Sequence, residues 1–366
     1  MQDRIELGAA YQAQLAEKSD RLTTLLAPFS APALEVYPSP PEHYRMRAEF
    51  RVWHDGDDLY YVMFNPDTKE KYRVDQFAAA NQLINTLMHE VLDYVRDKPL
   101  LRRKLFQVDF LTTTTNEALI SLLYHRQLDD EWKSAAEQMR TFLQQFATVD
   151  LIGRARKQKE TLQRDYVIEN LTIHERNYQF EHIENSFTQP NAAVNTHMIE
   201  WACNVAKNAP GDLLELYCGN GNFSLPLASQ FRHVLGTEIS RSSVNSAKKN
   251  IALNGIENVR IERLSAEECS AAMKGDALPS RLQDMDLSRY KFSTVLVDPP
   301  RAGLDDMTVA MIAEFPAIIY VSCNPETLAE NLEVLSKTHE ITHAALFDQF
   351  PFTHHIEAGV YLQKKV

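Results

Sequence analysis

The sequence predicts an α/β protein in which a C-terminal Rossmann-like domain follows an N-terminal α+β domain. Three observations favour this fold class. Helix and strand patterns alternate from Gln189 onward, the strands of that half end at glycine-rich or proline-rich turns, and 366 residues suffice for two cores. The predicted domains are residues 1–180, with linker strands at about 154–185, and residues 181–366.

Composition and cysteine usage predict a cytoplasmic globular protein without a metal centre. The chain is 44% hydrophobic and 24% charged, with a net charge of −12. It has neither the apolar core of a signal peptide nor an apolar run of about 18 residues that would cross a membrane. The cysteines form no C-x-x-C pair and no zinc-type spacing with histidine, which argues against zinc and iron–sulfur sites. They are Cys203, Cys218, Cys269 and Cys323.

The N-terminal half is predicted to contain three helices and two pairs of strands. Prolines end the first helix, and alternating apolar and charged residues predict a half-buried strand at 43–56 with an arginine-rich outer face. The run DGD at 55–57 predicts a hairpin turn. The predicted helices are 5–27, 75–96 and 130–146, and the predicted strands are 43–56, 58–66, 105–111 and 118–125.

The C-terminal half is predicted to form a parallel sheet with helices on both faces. A helix at 190–206 precedes it, and further helices follow most of its strands. Ligands bind at the carboxyl ends of the strands in such sheets, and most of the candidate residues described next lie at these ends. The predicted strands are 212–218, 233–239, 258–264, 292–300 and 317–323, with two closing strands at 344–350 and 359–362.

The first candidate binding feature is the turn after the first strand of this sheet. Tyr217 precedes the run GNGN at 219–222, whose two glycines let the backbone approach a ligand. Glu238 ends the next strand, 23 residues after Glu215, where a carboxylate can accept the two hydroxyls of a ribose. The third glycine of dinucleotide sites is missing, so the pattern fits S-adenosylmethionine better. The alternative is a tight turn beside an ordinary surface glutamate.

Two further strand ends carry residues with an ionisable or nucleophilic side chain. Asp298 ends a buried strand and is followed by two prolines, which would hold its carboxyl rigidly at the mouth of the site. Cys323 lies between a buried strand and a predicted helix, with Asn324 as N-cap and Pro325 at the first helical position. We expect the positive end of that helix dipole to lower the pKa of the thiol and to favour a nucleophilic thiolate.

Together these segments resemble the RNA uracil-C5 methyltransferases. The matching runs are SFTQPN, ELYCGNGNF, DPPRAGL, VSCNPETL and FPFTHHIEAGV, which extend through the C-terminal half. The resemblance implies an S-adenosylmethionine-dependent methyltransferase domain with Cys323 as nucleophile and Glu357 as general base. It also implies five residues that hold S-adenosylmethionine, namely Gln189, Tyr217, Asn222, Glu238 and Asp298.

The N-terminal half is similar to the bacterial members of this family that methylate the T-loop uridine of tRNA. The similar runs are HYRMRAEFRVWHDGDDLY, FQVDFLTT and SLLYHRQLDDEW. Family members that act on ribosomal RNA usually carry an iron–sulfur cysteine cluster and an N-terminal barrel, and this chain has neither. The resemblance therefore implies an RNA-binding N-terminal domain, the T-arm of tRNA as partner, and 5-methyluridine as product. It further implies a cytoplasmic monomer without metal or membrane contact.

The chemistry also follows from uracil itself. Its C5 is too weak a nucleophile to take a methyl group from a sulfonium, so a thiolate must first add to C6. A base must then remove the C5 hydrogen, and Glu357 is favoured because it lies just before the last predicted strand. His354, His355 and Asp298 are the rival bases. Arg301 or a backbone N–H is a candidate for steadying the enolate oxygen.

Reaching C5 requires extruding the uridine from its stack, which depends on compensating contacts to the RNA. Phe106 and His125, on neighbouring predicted strands, are candidates for stacking on bases, although Phe106 is equally consistent with a core residue. A second basic cluster at residues 102–104 and a third at 154–164 would extend a phosphate-binding surface, unless the fold leaves all of the clusters as separate solvated patches. The candidates for phosphate contacts are Arg45, Arg47 and Arg51.

Several alternatives remain open on the sequence alone. The alternative substrate is uridine in another structured RNA, such as ribosomal RNA or tmRNA. A cytosine-C5 methyltransferase would share the thiolate chemistry, but we would expect a second cysteine beside Pro299-Pro300, where there is none. A small-molecule methyltransferase would not need the arginine-rich strand. A non-catalytic RNA-binding or RNA-folding factor could also keep this fold.

Overall fold

The structure is a computed structural model that describes residues 2–366. It divides into two compact units. The larger unit contains the chain up to Pro41, Thr172–Phe180 and Ala193–Val366, and the smaller unit contains Glu42–Leu171 and Glu181–Ala192. The division into domains at residue 180 stays a prediction, since by compactness the first helix groups with the larger unit.

Both units contain helices and strands. The helices are α1 (Gln2–Leu26), α2 (Gln82–Arg96), α3 (Pro99–Arg102), α4 (Asp130–Leu143), α5 (Ala192–Val205), α6 (Ser224–Leu227), α7 (Arg241–Leu253), α8 (Ala266–Met273), α9 (Asp306–Ile312) and α10 (Pro325–Leu335). Short 3-10 helices lie at Ala27–Phe29, Ala228–Gln230, Ser280–Leu282 and Leu287–Arg289. None of the helices among residues 2–366 is both long enough and apolar enough to cross a bilayer.

The strands form two large sheets and one pair. They are β1 (Glu35–Tyr37), β2 (Arg47–Asp55), β3 (Asp58–Phe64), β4 (Lys71–Val74), β5 (Leu105–Thr112), β6 (Glu117–Tyr124), β7 (Thr148–Ala155), β8 (Gln158–Thr161), β9 (Tyr166–Ile173), β10 (Arg176–Ile183), β11 (Asp212–Leu216), β12 (Val234–Glu238), β13 (Val259–Arg263), β14 (Phe292–Val297), β15 (Ala317–Ser322), β16 (His339–Phe347) and β17 (Glu357–Lys364). β9 and β10 form the two-stranded sheet, within the segment expected to hold linker strands.

The larger unit contains an eight-stranded sheet in the order β1-β16-β17-β15-β14-β11-β12-β13. β14, β11, β12, β13 and β15 run parallel to one another, whereas β17 is antiparallel to both β15 and β16. Every residue of β11 and β15 is buried, as expected for central strands covered on both faces. The predicted Rossmann-like domain is confirmed. The prediction lacked β1, because three residues give no periodic signal.

The smaller unit contains a seven-stranded sheet in the order β4-β3-β2-β5-β6-β7-β8, in which only β6 and β7 pair in parallel. Its core includes apolar side chains of α2 and α4, such as Val91 and Trp132. In β2, Ala48 and Phe50 are buried while Arg51 is exposed. The predicted α+β architecture and the arginine-bearing outer face of β2 are therefore confirmed.

Two helix predictions were wrong in extent. α2 begins at Gln82 instead of residue 75, because the Asn81 side chain accepts a hydrogen bond from Ile84 N at 2.9 Å and caps the helix there. The helix expected after the glycine turn is only α6, four residues that continue into a 3-10 turn. Pro226 lies inside α6 and lacks the N–H that would help to extend it.

The substitution Gly153→Ala tests the packing of β7 against α4. A Cβ at Gly153 would lie 2.3 Å from the end of the Trp132 indole, which is fully buried and cannot move away. We expect overpacking to lower the free energy of unfolding of the smaller unit by about 1–3 kcal/mol, measured by urea unfolding. The control is Gly8→Ala in α1, where nothing lies within 4 Å of the added Cβ, so helix propensity should stabilise slightly. An unchanged urea midpoint for Gly153→Ala would contradict this packing.

Candidate active site

The strand ends of the larger unit bring together most of the predicted site residues. Asp298 follows β14, Cys323 follows β15, and Glu357 begins β17. In the registers of the sheet, Val297 pairs with Tyr320 and Ser322 pairs with Ala358. Because β15 and β17 are antiparallel, the residue after Ser322 lies beside the residue before Ala358. Cys323 and Glu357 are therefore neighbours across two strands.

Cys323 lies at the start of α10, as the sequence predicted. Asn324 is the N-cap and accepts a hydrogen bond from Glu326 N at 3.2 Å, and Pro325 occupies the first helical position. The Ser322 hydroxyl accepts a hydrogen bond from Asn324 N at 3.0 Å, which fixes the turn around the thiol. The half-buried Cys323 differs from the other three cysteines, which are buried.

The expectation that the helix dipole lowers the thiol pKa was wrong. Burial raises the pKa of Cys323 to about 11, and the carboxyl groups of Glu357 and Asp298 raise it further, with Arg301 acting in the opposite direction. A helix N-terminus contributes about half a positive charge. Two nearby carboxylates and partial desolvation outweigh it, so the thiol of the free protein is protonated at neutral pH.

The two carboxyl groups beside the thiol are themselves perturbed. Burial raises the pKa of Asp298 to about 7. Burial and the neighbouring Asp298 raise the pKa of Glu357 well above its ordinary value. Two close carboxyl groups in a desolvated site resist ionising together, so the pair retains a proton at neutral pH. The site can therefore accept or release a proton near pH 7.

The glycine turn after β11 leaves its backbone open to a ligand. Gly219 and Gly221 have φ values of 56° and 90°, and a Cβ at Gly221 would lie 2.3 Å from Leu225 Cδ1. Tyr217 also has a positive φ of 57°, which directs the chain sharply away from β11. These features agree with a close approach of backbone to a bound molecule.

Glu238 ties the glycine turn to the end of β12. Its carboxylate accepts hydrogen bonds from Gly219 N at 3.0 Å and from Ser240 N at 2.9 Å. Asn222 exchanges two side-chain hydrogen bonds with Asn195, at 2.8 and 2.9 Å. Glu238 and Asn222 are thus held in place by the protein, each with further hydrogen-bonding capacity for a ligand.

Glu215 is a site residue that the sequence reasoning passed over. It is buried in β11, and its carboxylate accepts a hydrogen bond from the Ser224 hydroxyl at the start of α6. Burial raises the pKa of Glu215 to about 8, and Asp298 and Glu238 contribute in the same direction. The available signal was an acidic residue between leucines in a strand that was predicted to be buried.

The loop after Asp298 is anchored to α10. Asn324 Nδ2 donates to Arg301 O at 2.9 Å, and Thr327 Oγ1 donates to the same oxygen at 3.1 Å. Further along, Leu304 N donates to Asn331 Oδ1 at 3.0 Å. The segment that carries Asp298 and the helix that follows Cys323 are therefore one hydrogen-bonded assembly.

The remaining predicted site residues of this group are Gln189, His354 and His355. Gln189 belongs to the smaller unit, and its role in binding S-adenosylmethionine stays a prediction. The rival base His354 is exposed and its ring lies 4.3 Å from that of His355. Burial lowers the pKa of His355, and the charges of His354 and Arg301 lower it further. Glu357 and the rival base Asp298 are the candidate bases beside the thiol.

The smaller unit brings Phe106 and His125 together. Their rings stack with a centroid distance of 3.8 Å and an interplanar angle of 8°, and the Arg51 guanidinium lies 5.5 Å from the Phe106 centroid. Phe106 is only half-buried, so its interpretation as a core residue was wrong. A cavity of about 620 Å³ opens beside this stack. It is lined by Phe106, Leu123, Tyr124, His125, Arg126, Gln127, Arg154, Ala155 and Arg156.

The other candidate phosphate ligands have partners within the smaller unit. Arg45 Nε donates to Arg47 O at 2.8 Å, and Arg47 Nη1 donates to Ser186 O at 2.7 Å. Burial lowers the pKa of the Arg47 guanidinium. Arg154 from the third basic cluster forms an ion pair with Glu184. Much of the predicted basic surface is thus used in internal hydrogen bonds and ion pairs, whereas Arg51 is exposed on the outer face of β2.

Comparison with known proteins identifies similar sequences along nearly the whole chain. Residues 10–365 match the family described as tRNA (Uracil-5-)-methyltransferase. A protein of Aeromonas hydrophila named tRNA/tmRNA (uracil-C(5))-methyltransferase is 57% identical over 358 residues, which are 98% of this chain and 95% of the relative. A protein of the same name from Vibrio vulnificus is also 57% identical, over 97% of both chains.

One solved structure shares the fold. It is the crystal structure of Pyrococcus abyssi tRNA (uracil-54, C5)-methyltransferase in complex with S-adenosyl-L-homocysteine, which superimposes with a TM-score of 0.72. The match covers 96% of this chain and 83% of the archaeal chain at 20% sequence identity. At that identity the similarity establishes a shared architecture.

The ionisation of Cys323 can be measured through its rate of alkylation by iodoacetamide against pH, with Cys323→Ser as background. We expect a midpoint near the pKa of about 11. Asp298→Asn should lower that midpoint, because it removes a negative charge that opposes thiolate formation. The matched control is Asp284→Asn, an exposed aspartate outside the site. A midpoint at or below the free-thiol value of about 8.5 would contradict the proposed electrostatics.

Proposed function

The chain belongs to the tRNA (uracil-5-)-methyltransferase family, and from this premise we propose that it methylates C5 of a T-loop uridine through a covalent bond between Cys323 and C6. The observation that carries the proposal is the pairing of Ser322 with Ala358, which sets a thiol beside a buried carboxyl group. A nucleophile and a base side by side are what addition and elimination at adjacent ring carbons require.

The residues of the larger unit suit S-adenosylmethionine as methyl donor. The cofactor supplies a methyl group on a positively charged sulfur, and carboxylates are the natural partners of such a cation. Glu215, Glu238 and Asp298 end or adjoin neighbouring strands at this edge. Glu238 is placed to accept ribose hydroxyls, and the open backbone at Gly221 can accommodate the ligand. Tyr217 and Asn222 complete the proposed set on this unit.

The covalent sequence follows from the chemistry of the pyrimidine ring. The Cys323 thiol first passes its proton to the Asp298–Glu357 carboxyl pair. The Sγ electron pair then bonds to C6, and the C5–C6 π electrons move to form an enolate at O4. C5 then bonds to the methyl group, and the electron pair of the broken carbon–sulfur bond stays with the donor sulfur. Glu357, as the carboxylate, removes the C5 proton. The electrons of that C–H bond restore the double bond and expel the Cys323 thiolate.

The raised pKa values of Cys323, Asp298 and Glu357 agree with the proton transfers that this mechanism requires. The thiol must lose a proton before it attacks, and a base must take another after methylation. Burial raises the pKa of Asp298 to about 7, and Asp298 and Glu357 lie beside the thiol, so this pair can serve both steps provided that one proton leaves to solvent in each turnover. A high resting pKa of Cys323 also makes it resistant to unwanted alkylation in the free protein.

We propose that the smaller unit holds the RNA. The Phe106–His125 stack offers an aromatic surface next to a cavity that carries three arginines, a combination that suits unstacked bases and phosphates. The T-arm of tRNA is the proposed partner. The names of the curated relatives also favour tmRNA as a second substrate. These proposed substrates imply that the protein acts in the cytoplasm. That the protein is a monomer stays a prediction.

The covalent route is tested with RNA that carries 5-fluorouridine at the target. Fluorine cannot leave C5 as a cation, so we expect a methylated adduct with Cys323 that survives denaturing electrophoresis. Cys323→Ser should form none. If wild-type enzyme methylates ordinary tRNA yet forms no adduct with the fluorinated RNA, the covalent route is excluded.

The base assignment is tested with Glu357→Gln on ordinary tRNA. Loss of a general base typically costs about 10²–10⁴ in rate, so the variant should accumulate the methylated adduct while its affinity for S-adenosylmethionine is kept. Labelled methyl transfer and calorimetric titration provide the two readouts. Fast turnover by this variant would assign the base role to another group.

The RNA-binding role of the aromatic stack is tested with Phe106→Ala. Stacking contributes about 1–3 kcal/mol per base, so we expect roughly 5- to 150-fold weaker binding of tRNA in filter-binding assays. The matched control is Phe64→Ala, which removes a phenyl group that is 50% exposed at the end of β3 and outside the cavity. Equal effects of the two substitutions would argue against a specific stacking site.

A further inference from the structure

The loop that precedes Glu357 is held by the first helix of the chain. Residues 348–356 connect β16 to β17 and contain neither helix nor strand. The first residue after this loop is the proposed base, so the position of its carboxyl group depends on how the loop is fixed. α1 belongs to the same compact unit, but none of the proposed catalytic or cofactor-binding residues lies in it.

One face of α1 supplies the contacts. Four side chains spaced by three, four and three residues lie along this face, and we call them the α1 stripe. Each of them contacts the 348–356 loop. The stripe consists of Tyr11, Gln14, Lys18 and Arg21.

Gln14 fixes the middle of the loop through its backbone. Its side-chain nitrogen donates to Thr353 O at 3.2 Å, and its side-chain oxygen accepts a hydrogen bond from Phe352 N. The Tyr11 ring packs edge-on against the Phe352 ring with a centroid distance of 5.8 Å. Phe352 has a positive φ of 60°, so the loop adopts a conformation there that a non-glycine residue rarely holds without support.

Lys18 fixes the beginning of the loop. Its ammonium forms an ion pair with Asp348 at 2.6 Å and donates to Phe350 O at 2.9 Å. Lys18 is 4% exposed and Asp348 is 1% exposed, so the pair is shielded from solvent. Buried lysines are rare unless they are paired, and a shielded pair with an added carbonyl acceptor has a defined geometry.

Arg21 connects the loop with the helix that follows the nucleophile. Its guanidinium donates to His354 O at 3.1 Å and forms an ion pair with Glu326 in the first turn of α10. Glu326 lies three residues after Cys323. The α1 stripe therefore contacts both segments that bear the reacting groups, the loop before Glu357 and the start of α10.

We propose that the α1 stripe sets the position of the Glu357 carboxyl group relative to Cys323, with Lys18 and Gln14 as positioning residues for removal of the C5 proton. This inference rests on the proposed function. Neither side chain touches the reacting atoms, and each acts through the backbone of the loop. Releasing the loop should slow the elimination that frees Cys323 more than it affects cofactor binding or formation of the Cys323–C6 bond.

The experiment compares the full-length enzyme with Lys18→Met, Gln14→Ala and Gln12→Ala. Lys18→Met removes the ammonium and keeps an unbranched side chain, and Gln14→Ala is the milder change. Gln12→Ala is the matched control, because Gln12 is exposed on the same helix. With tRNA and labelled S-adenosylmethionine, turnover and the fraction of enzyme in denaturation-resistant methylated adduct are measured together, and cofactor affinity is measured by calorimetry.

We expect Lys18→Met and Gln14→Ala to lower turnover about 10- to 100-fold, which is less than the complete loss of a base typically costs. The adduct fraction should rise, and cofactor affinity should stay within about twofold. Gln12→Ala should match the wild type. A fall in turnover without added adduct, or a fall that follows cofactor affinity, would overturn the proposal and leave α1 a purely structural element.

The experiment includes a second stripe variant and a reference variant. If Lys18→Met does not fold by circular dichroism, Gln14→Ala decides the outcome, because it leaves the buried ion pair intact. Glu357→Gln serves as the reference for adduct accumulation. If that reference forms no adduct and the wild type forms none with 5-fluorouridine RNA, the covalent mechanism has failed, whereas an adduct with Glu357→Gln but not with the stripe variants refutes the positioning role alone.

Discussion

The insertion of β17 between β15 and β16 is the constraint on which the site depends. Parallel strands bring only their carboxyl ends to the ligand-binding edge, whereas an antiparallel strand brings its first residue there. Gly359 fixes the register, because a Cβ there would lie 2.9 Å from both Phe347 and Trp201. A slip by one residue would force a side chain into that space and would turn Glu357 to the other face of the sheet. Packing around Gly359 thus determines which carboxyl group faces Cys323.

The same arrangement sets the reactivity of the thiol. A site built only to form thiolate would place cations next to Cys323, yet here Asp298 and Glu357 oppose its ionisation. In the proposed mechanism these carboxyl groups serve a different step, since a base near C5 is needed for release of the product, and they also suit a cationic methyl donor. In the free protein they keep the thiol protonated, so the proposed attack on C6 requires that the substrate complex supply the conditions in which the proton leaves.

Sequence reasoning named the candidate residues that the fold brings together, but it could not determine how these residues influence one another. Cys323, Asn324 and Pro325 are adjacent in the chain, so the helix start that they form was predictable from local rules. The pKa of the thiol depends on Asp298 and Glu357, which approach it only through sheet pairing, and the local prediction had the wrong sign. Tertiary contact also explains the missed elements. β1 exists because it pairs with β16, and its three residues carry no signal of their own.

The charge distribution of the larger unit also bears on how RNA is recognised. Glu215, Glu238 and Asp298 are clustered at the strand ends, and each of these carboxyl groups repels phosphates when it is ionised. An RNA backbone would be disfavoured at this edge, but an uncharged uracil ring would not. The site therefore selects for a base that has left its stack, at a cost of a few kcal/mol that contacts elsewhere on the RNA must offset. An acidic protein with a net charge of −12 can thus bind a polyanion, provided that base and backbone are recognised by different groups.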